Sequence, residues 1–382
     1  MPTALVLCIA DPAGNPRPNR MISCLARDFR VHVISSAAAG EPGVVYDPLT
    51  PPPRSARQRV AKILRLVSRR YDGLLWTPQL RALAAKHRAI DHAFITVHEL
   101  RLLPFALSIR QSGRVLFDAR EYYPRHYEDI WWWRLLYQPF NRALCRAYIP
   151  RADHVVTVCR GLADAYEREL GIHCDLLPNF PAPVACAPQP VDPTRIRLVH
   201  HGLASRSRQI ELMIEMMDHL PERFSLDLIL MPSDDGYLRS LRRMCSRRAR
   251  VRLLAPLPFA GLVAATNAYD IGVFLVPPVN FNLRFALPNK FFEFVQARLM
   301  VAIGPSPEMA RLVRQHDLGV VAADFRPAAL AAALAGLSPA DIGRFKHNAD
   351  RAAAEMHLGK TDAFVRQLAL NPTPRSPAST PS

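Results

Sequence analysis

Short apolar runs alternate along this chain with longer segments whose apolar positions recur every three or four residues, a pattern that predicts parallel strands joined by crossover helices. In the first half, strands are expected at 4–10, 31–35, 92–97, 115–119, 154–158 and 174–178, and helices at 19–27, 56–70, 100–111, 129–147 and 161–170. The stretch 178–193, PNFPAPVACAPQPVDP, suits neither helix nor central strand and reads as a linker. The alternation then restarts, with strands at 197–201, 226–231, 251–255, 271–276, 300–304 and 319–323. Helices are expected at 209–220, 237–247, 259–267, 289–298, 307–316 and 328–336, followed by helical patterns over 339–370 and a polar, disordered tail at 371–382. The implied fold class is α/β, with two Rossmann-like parallel-sheet domains, 1–178 and 194–338, facing a central cleft across the linker 179–193.

Polar residues left over from this pattern point to chemistry. In LPNKFFEFVQARLMVAIGPSPEMARLV, residues 287–313, Pro288 starts a helix and Phe291, Phe292, Val295 and Leu299 share one face. Asn289, Lys290 and Glu293 then fall near the first turn, where unpaired amides and the helix dipole favour an anion such as a diphosphate. A glutamate there could accept hydrogen bonds from a ribose diol. The same pattern also fits an ordinary helix cap with surface charges. Earlier, LVHHGLASRSRQIELMIEMM runs a strand into Gly202 and then a basic loop, which could lay Arg206 and Arg208 against a phosphate.

The 287–313 segment resembles the donor-nucleotide motif of the GT4-type glycosyltransferases of the GT-B fold, written "lPNKlfEy…G.PVia". That resemblance assigns the donor diphosphate to Lys290 and the ribose to Glu293, with Asn289 and Gly202 beside the ribose and sugar. Arg208 stands at the spacing of the family's "G-x5-K/R" element after Gly202, with Arg206 as its neighbour. Two positions depart from the pattern: Phe285 stands where the family often has an earlier glutamate, and Arg298 replaces a small glycine after the helix. The resemblance makes 1–178 the acceptor-binding domain and 194–338 the nucleotide-sugar domain, with the helices of 339–370 crossing back to the first.

In the first half, FDAREYYPR, residues 117–125, ends a strand and is similar to the family's "yDaHE" segment, with Arg120 in place of its histidine. Glu121 and Arg120 are therefore expected near the reacting sugar or the acceptor, and Asp118 on the acceptor side; Asp118 equally suits a turn cap. TVHEL, residues 96–100, resembles a family "h.HD" turn and makes His98 an acid/base or hydroxyl-binding candidate. IADPAGNPRPNRM lacks GxGxxG, which argues against a nicotinamide site, but its Arg17 could face an acceptor. SDDG, residues 233–236, fits a helix N-cap better than a metal site.

Composition changes this picture little. Seven scattered cysteines show no CxxC spacing, so neither a disulfide framework nor a zinc site is expected, and no cofactor or metal is anticipated. No apolar run reaches membrane-spanning length, and the N-terminus lacks the pattern of a secretory signal; a cytoplasmic location is expected. The formal net charge of +16 invites a polyanion. Residues Arg54 to Arg70 carry Val60, Ile63, Leu64 and Val67 on one helical face amid arginines, which suits an anionic membrane surface or a helix packed on the core. Three adjacent tryptophans, Trp131, Trp132 and Trp133, cannot all face one core. No nucleic-acid motif is present, and no nucleic-acid partner is expected.

Together these readings predict transfer of a sugar from a nucleotide diphosphate-sugar donor to a saccharide or lipid-linked acceptor. The reaction is expected to be retaining and metal-independent, in cell-surface polysaccharide synthesis at the inner face of a membrane. Alternatives are a sugar-nucleotide epimerase of the same fold and a non-catalytic nucleotide-sugar-binding scaffold.

Overall fold

The computed structural model describes residues 1–37, 43–50 and 55–370. The expected tail 371–382 and Arg54 of the basic segment lie outside the described residues. The chain divides into two compact units, one of 1–178, 280–282 and 362 onward, the other of 179–279 and 283–361.

The first unit holds a parallel sheet of seven strands: β1 (Thr3–Leu7), β2 (Arg30–Ser35), β3 (Val45–Pro48), β4 (His92–Val97), β5 (Arg114–Ala119), β6 (His154–Thr157) and β7 (Asp175–Leu176). Their spatial order is β3-β2-β1-β4-β5-β6-β7. The second unit holds β8 (Ile196–Ala204), β9 (Phe224–Pro232), β10 (Val251–Leu254), β11 (Ile271–Phe274), β12 (Met300–Ile303) and β13 (Gly319–Val321), ordered β10-β9-β8-β11-β12-β13. Both are doubly wound sheets of Rossmann type, in which the order reverses next to the first strand of the unit.

Each sheet is buried on both faces, which is why its strands read as apolar runs. In the first unit Ala4, Val6, Val31, Val33, Phe94, Leu116 and Val156 pack against Met21, Ile22 and Leu25 of the helix Pro16–Leu25. Val365 and Ala369 of the helix Leu358–Leu370 complete that core, and Arg366 pairs with Asp28 at 2.6 Å. In the second unit Leu198, Leu226, Leu228, Val273 and Ala302 pack against Met213, Leu241 and Leu330.

Several expectations need adjustment. The helix expected at 19–27 begins at Pro16, because proline is tolerated at a first position that needs no amide donor. The helix expected at 209–220 begins at Glu211, after Gln209 takes a left-handed conformation with φ 44°, and becomes 3-10 at Met217. Elements not anticipated include β3 and the helices Asp72–Leu75, Phe281–Arg284 and Pro78–His87, the last capped by Thr77, whose hydroxyl accepts from the Leu80 amide. The basic helix spans Ala56–Val67 with a Ser55/Gln58 capping box, and only Leu66 of it is buried. Its apolar residues are therefore not packed on a core: Leu64 and Val67 are 62% and 66% exposed. Trp133 is buried, whereas Trp131 and Trp132 are exposed. Asp234 of the SDDG turn is an N-cap, accepting from the Tyr237 amide.

In the second unit a buried ion pair ties the helix Pro339–Ala353 to the sheet: Lys346 Nζ lies 3.2 Å from Asp270 Oδ1, and both side chains are shielded from solvent. Asp270 Oδ2 also accepts from the Arg197 amide at 2.8 Å. Replacing Asp270 by alanine leaves the Lys346 ammonium buried without a counter-charge, so Asp270→Ala is expected to destabilise by about 3–5 kcal/mol. Urea unfolding of the variant checks this, and a loss below about 1 kcal/mol would show that the pair is not a structural tie.

Candidate functional site

Ligands of doubly wound sheets bind outside the strand carboxyl ends, where the strand order reverses. In the second unit that point lies between β8 and β11. Gly202, near the end of β8, has φ 126°, a conformation that favours glycine, and a Cβ there would stand 2.8 Å from the Lys290 Nζ. Lys290 belongs to the first turn of the helix Asn289–Gln296, whose residues Phe291, Phe292, Phe294 and Val295 are anchored in the core. Those aromatic anchors draw the lysine down with them, and it is 5% exposed.

Among the described residues no carboxylate lies at ion-pair distance from that ammonium. Its Nζ lies 3.2 Å from His200 Nε2 and 5.1 Å from the Phe274 ring centre. His200 Nδ1 is 2.8 Å from the Val273 carbonyl, which can only accept, so Nδ1 carries the proton and Nε2 accepts from Lys290. Burial, with the nearby Arg208 cation, holds the lysine well below its ordinary pKa. Burial likewise lowers Arg208, whose guanidinium makes no hydrogen bond or ion pair among the described residues. Glu293, one turn along the helix, is 4% exposed and lies 3.6 Å from His201 Nε2. Its field partly supports the lysine's charge. Two desolvated cations without a paired carboxylate, beside the amino end of a helix, form a site for an anion.

The other residues expected on the donor side are placed as follows. Asn289 is the half-buried first residue of the helix. Arg206 is turned elsewhere: its Nε bonds Asp234 Oδ2 at 2.8 Å and its guanidinium lies over Tyr237, because the N-cap aspartate of the next helix competes for it. Phe285 is half-buried under the Arg284 guanidinium. Arg298 holds φ 58°, so the chain still makes the left-handed turn that a glycine would favour, and its guanidinium is held by Asp350 at 2.8 Å.

In the first unit, polar residues gather at the carboxyl ends of β1, β4 and β5. Asp118 is fully buried and accepts from Arg17 Nε and Nη2 at 2.6 and 2.7 Å and from His98 Nδ1 at 2.9 Å. Burial opposes its ionisation, but Arg17 and His98 outweigh it and hold the carboxyl below the usual range. Arg17 also donates to the Leu177 carbonyl at 2.8 Å. Arg17 and Asp118 are thus engaged with each other below the surface and are positioning residues, not the direct acceptor contacts expected of them. Their effect is on His98, whose buried Nε2 has no hydrogen-bond partner. Glu99 accepts from the Ile9 amide at 2.9 Å and from Arg120 at 3.2 Å, with its pKa raised by burial. Glu121 is paired with His126 and remains part-exposed.

Sequence reasoning missed His200, His201 and Glu99. The pair of histidines before Gly202 at a strand end was a visible signal, as was Glu99 beside His98.

No family model matches the chain, and no curated protein matches it. Solved structures do. Sucrose-phosphate synthase from Thermosynechococcus elongatus is similar at a TM-score of 0.69 and 17% identity, over 96% of this chain and 98% of that one. HepE from Anabaena, in complex with UDP and glucose, is similar at 0.68 and 13%, over 96% and 99%. WaaG, a glycosyltransferase involved in lipopolysaccharide biosynthesis, is similar at 0.64 and 12%, over 97% and 100%. The chain therefore has the GT-B fold, two Rossmann-like parallel-sheet domains, which these glycosyltransferases share.

The buried histidines make stability depend on acid. Burial, with Lys290 beside it, lowers His201 to about 3, against about 6.5 in an unfolded chain. As pH falls the unfolded chain takes up this proton first, so stability present above pH 6.5 is withdrawn between about 6.5 and 3, at about 1.4 kcal/mol per pH unit. Urea unfolding at pH 7 and pH 5 should show this loss, and His201→Gln should reduce it; an unchanged difference would mean that His201 is not held neutral by the fold.

Proposed function

We propose that the protein is a glycosyltransferase that moves a sugar from a nucleotide diphosphate-sugar donor to a saccharide or lipid-linked acceptor. The observation that carries this reading is the buried Lys290 ammonium packed against Gly202, with Arg208 near it and no carboxylate paired to either. A diphosphate supplies the missing negative charge. As the bond between the anomeric carbon and the diphosphate oxygen breaks, charge grows on the leaving diphosphate, where preorganised cations act most strongly. Lys290 and Arg208 are assigned that role, with no metal ion required for transfer. Glu293, one turn further along, accepts from the ribose hydroxyls, and Asn289 and Gly202 border the ribose and sugar. The UDP and glucose bound to HepE and the part of WaaG in lipopolysaccharide biosynthesis support UDP as the first nucleotide to test and surface polysaccharide as the product class.

On the first unit His98 Nε2 is the catalytic candidate, oriented by Asp118 and Arg17, while Arg120 and Glu121 serve acceptor or sugar hydroxyls. Retention at the anomeric carbon is part of the proposal. Incubation with a panel of UDP-, GDP- and ADP-sugars and membrane extract, followed by mass spectrometry, tests it. Lys290→Ala should lower turnover by about a hundredfold or more, while Glu293→Gln should chiefly raise the donor KM. Consumption of donor without acceptor would favour the epimerase reading, and near-normal turnover in a folded Lys290→Ala protein would remove the central assignment.

We also assign an anionic membrane surface to the first unit, at the inner face of a cytoplasmic membrane. The helices Ala56–Val67 and Trp131–Tyr148 pack together, and Val60, Ile63, Leu64, Val67, Trp131 and Leu135 are exposed. Arg57, Arg59, Lys62 and Arg65 are carried by the same helix. Apolar residues ringed by arginine insert at the headgroup boundary while the cations meet acidic lipid. No helix among the described residues is long and apolar enough to cross a membrane. Sedimentation with anionic vesicles is expected for the native chain and lost in Leu64→Glu/Val67→Glu; equal pelleting of both proteins would reject this surface.

A further inference from the structure

A second polar cluster lies in the first unit, away from the strand carboxyl ends. In the parallel pairing of β2 with β3, His32 stands opposite Val45 and Ile34 opposite Asp47, so strand alternation sets His32 and Asp47 on one face. His87 ends the helix Pro78–His87, and His92 opens β4. The helix end therefore places its imidazole against the two strands near the amino end of β4, whereas His98, Glu99 and Asp118 lie at or beyond the other ends of β4 and β5.

All four side chains are at least nine-tenths buried. The ring centres of His32, His87 and His92 are 5.2–5.9 Å apart. His87 Nε2 is 3.0 Å from Asp47 Oδ2, and His87 Nδ1 is 3.0 Å from His92 Nε2. The second oxygen of Asp47 takes the Lys86 ammonium at 2.5 Å. The Nδ1 atoms of His32 and His92 are buried and have no hydrogen-bond partner. Each unmet polar atom costs about 1–3 kcal/mol, so this is an expensive way to fill a sheet face that leucine or valine would satisfy.

One nitrogen each from His32 and His87 and one oxygen of Asp47 lie within 4.8 Å of one another. Ligand atoms about 2.0–2.2 Å from a tetrahedral ion stand about 3.3–3.6 Å apart, so the set closes on an ion by drawing in its widest spacing by at most about 1.5 Å. We infer that His32, Asp47 and His87 bind one divalent transition-metal ion of the zinc type, with His92 and Lys86 as outer partners. Two imidazoles and a carboxylate are a donor set that suits zinc. In the bound form His87 ligates through Nε2 and donates Nδ1–H to His92 Nε2, the usual outer hydrogen bond of a metal-bound histidine. Asp47 ligates through Oδ2 while Oδ1 keeps Lys86. The ion joins the edge strand β3 to β2 and to the helix Pro78–His87; its role is structural, and it takes no part in sugar transfer.

The test uses the full-length chain, stripped of metal with a chelator and dialysed. Titration with Zn²⁺ against a chromophoric indicator should give one tight site, and saturation should raise the melting temperature. Co²⁺ should give visible d–d bands without sulfur-to-metal charge transfer, which separates this site from the seven cysteines. His87→Gln and Asp47→Asn should abolish the tight site, and His92→Gln should weaken it about 10–100-fold. His173→Gln, at an exposed histidine beside Glu167 and Asp175, should change nothing. Circular dichroism identifies any variant that fails to fold; His32→Asn then takes its place. A folded native chain that takes up no ion would overturn the inference, leaving only a hydrogen-bonded Lys86–Asp47–His87–His92 relay. Wild-type affinity in folded His87→Gln, or a thiolate signature with Co²⁺, would overturn it equally.

Discussion

The organisation of the second unit depends on one lysine kept out of water with no carboxylate at ion-pair distance among the described residues. A lysine in the first turn of a surface helix normally extends into solvent. Here the aromatic anchors Phe291, Phe292 and Phe294 pull the helix Asn289–Gln296 down onto the sheet, and Lys290 goes with them. Room for the ammonium exists only because residue 202 lacks a Cβ. Among the described residues its side-chain partner is His200, whose Nε2 accepts from the lysine and whose tautomer is fixed by a backbone carbonyl. Folding energy thus keeps a basic side chain desolvated beside the amino end of a helix.

The first unit solves a different problem with similar parts. Its buried aspartate, Asp118, is matched by a bidentate arginine and by His98. Because the carboxylate is fully compensated, the only unmet polar atom of that triad is the far nitrogen of the imidazole. A charge balance settled below the surface leaves one imidazole nitrogen whose orientation is fixed. The two units therefore offer complementary chemistry, one a deficit of negative charge and the other an oriented base.

Much of this was legible in the chain because doubly wound sheets write themselves as apolar runs of strand length. Strand β4 and the helix Pro307–His316 fall where the pattern puts them. The short edge strand β3 was missed because it is only partly buried and carries Tyr46 and Asp47 in place of an apolar run. Lys290, Gly202 and Arg208 were visible as a motif, but their state was not: a sequence shows a lysine, not its desolvation. Arg206 shows the converse, since an N-cap aspartate 28 residues away captures it, and no local spacing reveals such competition. The buried histidines His32, His87 and His92 escaped notice because they are scattered over 61 positions and meet only through sheet register.

The helix Leu358–Leu370 changes what counts as the first domain. Its residues Val365 and Ala369 fill the same core as Val6 and Val33, and Arg366 is bound to Asp28. In sequence the first unit is thus written in two widely separated passages, and its last turns are synthesised only after the whole of the second unit. During synthesis the amino-terminal sheet leaves the ribosome before Val365 and Ala369 can complete its core. Completion of the first domain is then a checkpoint on the integrity of the entire chain: a product broken off anywhere before residue 362 carries an unsealed apolar face.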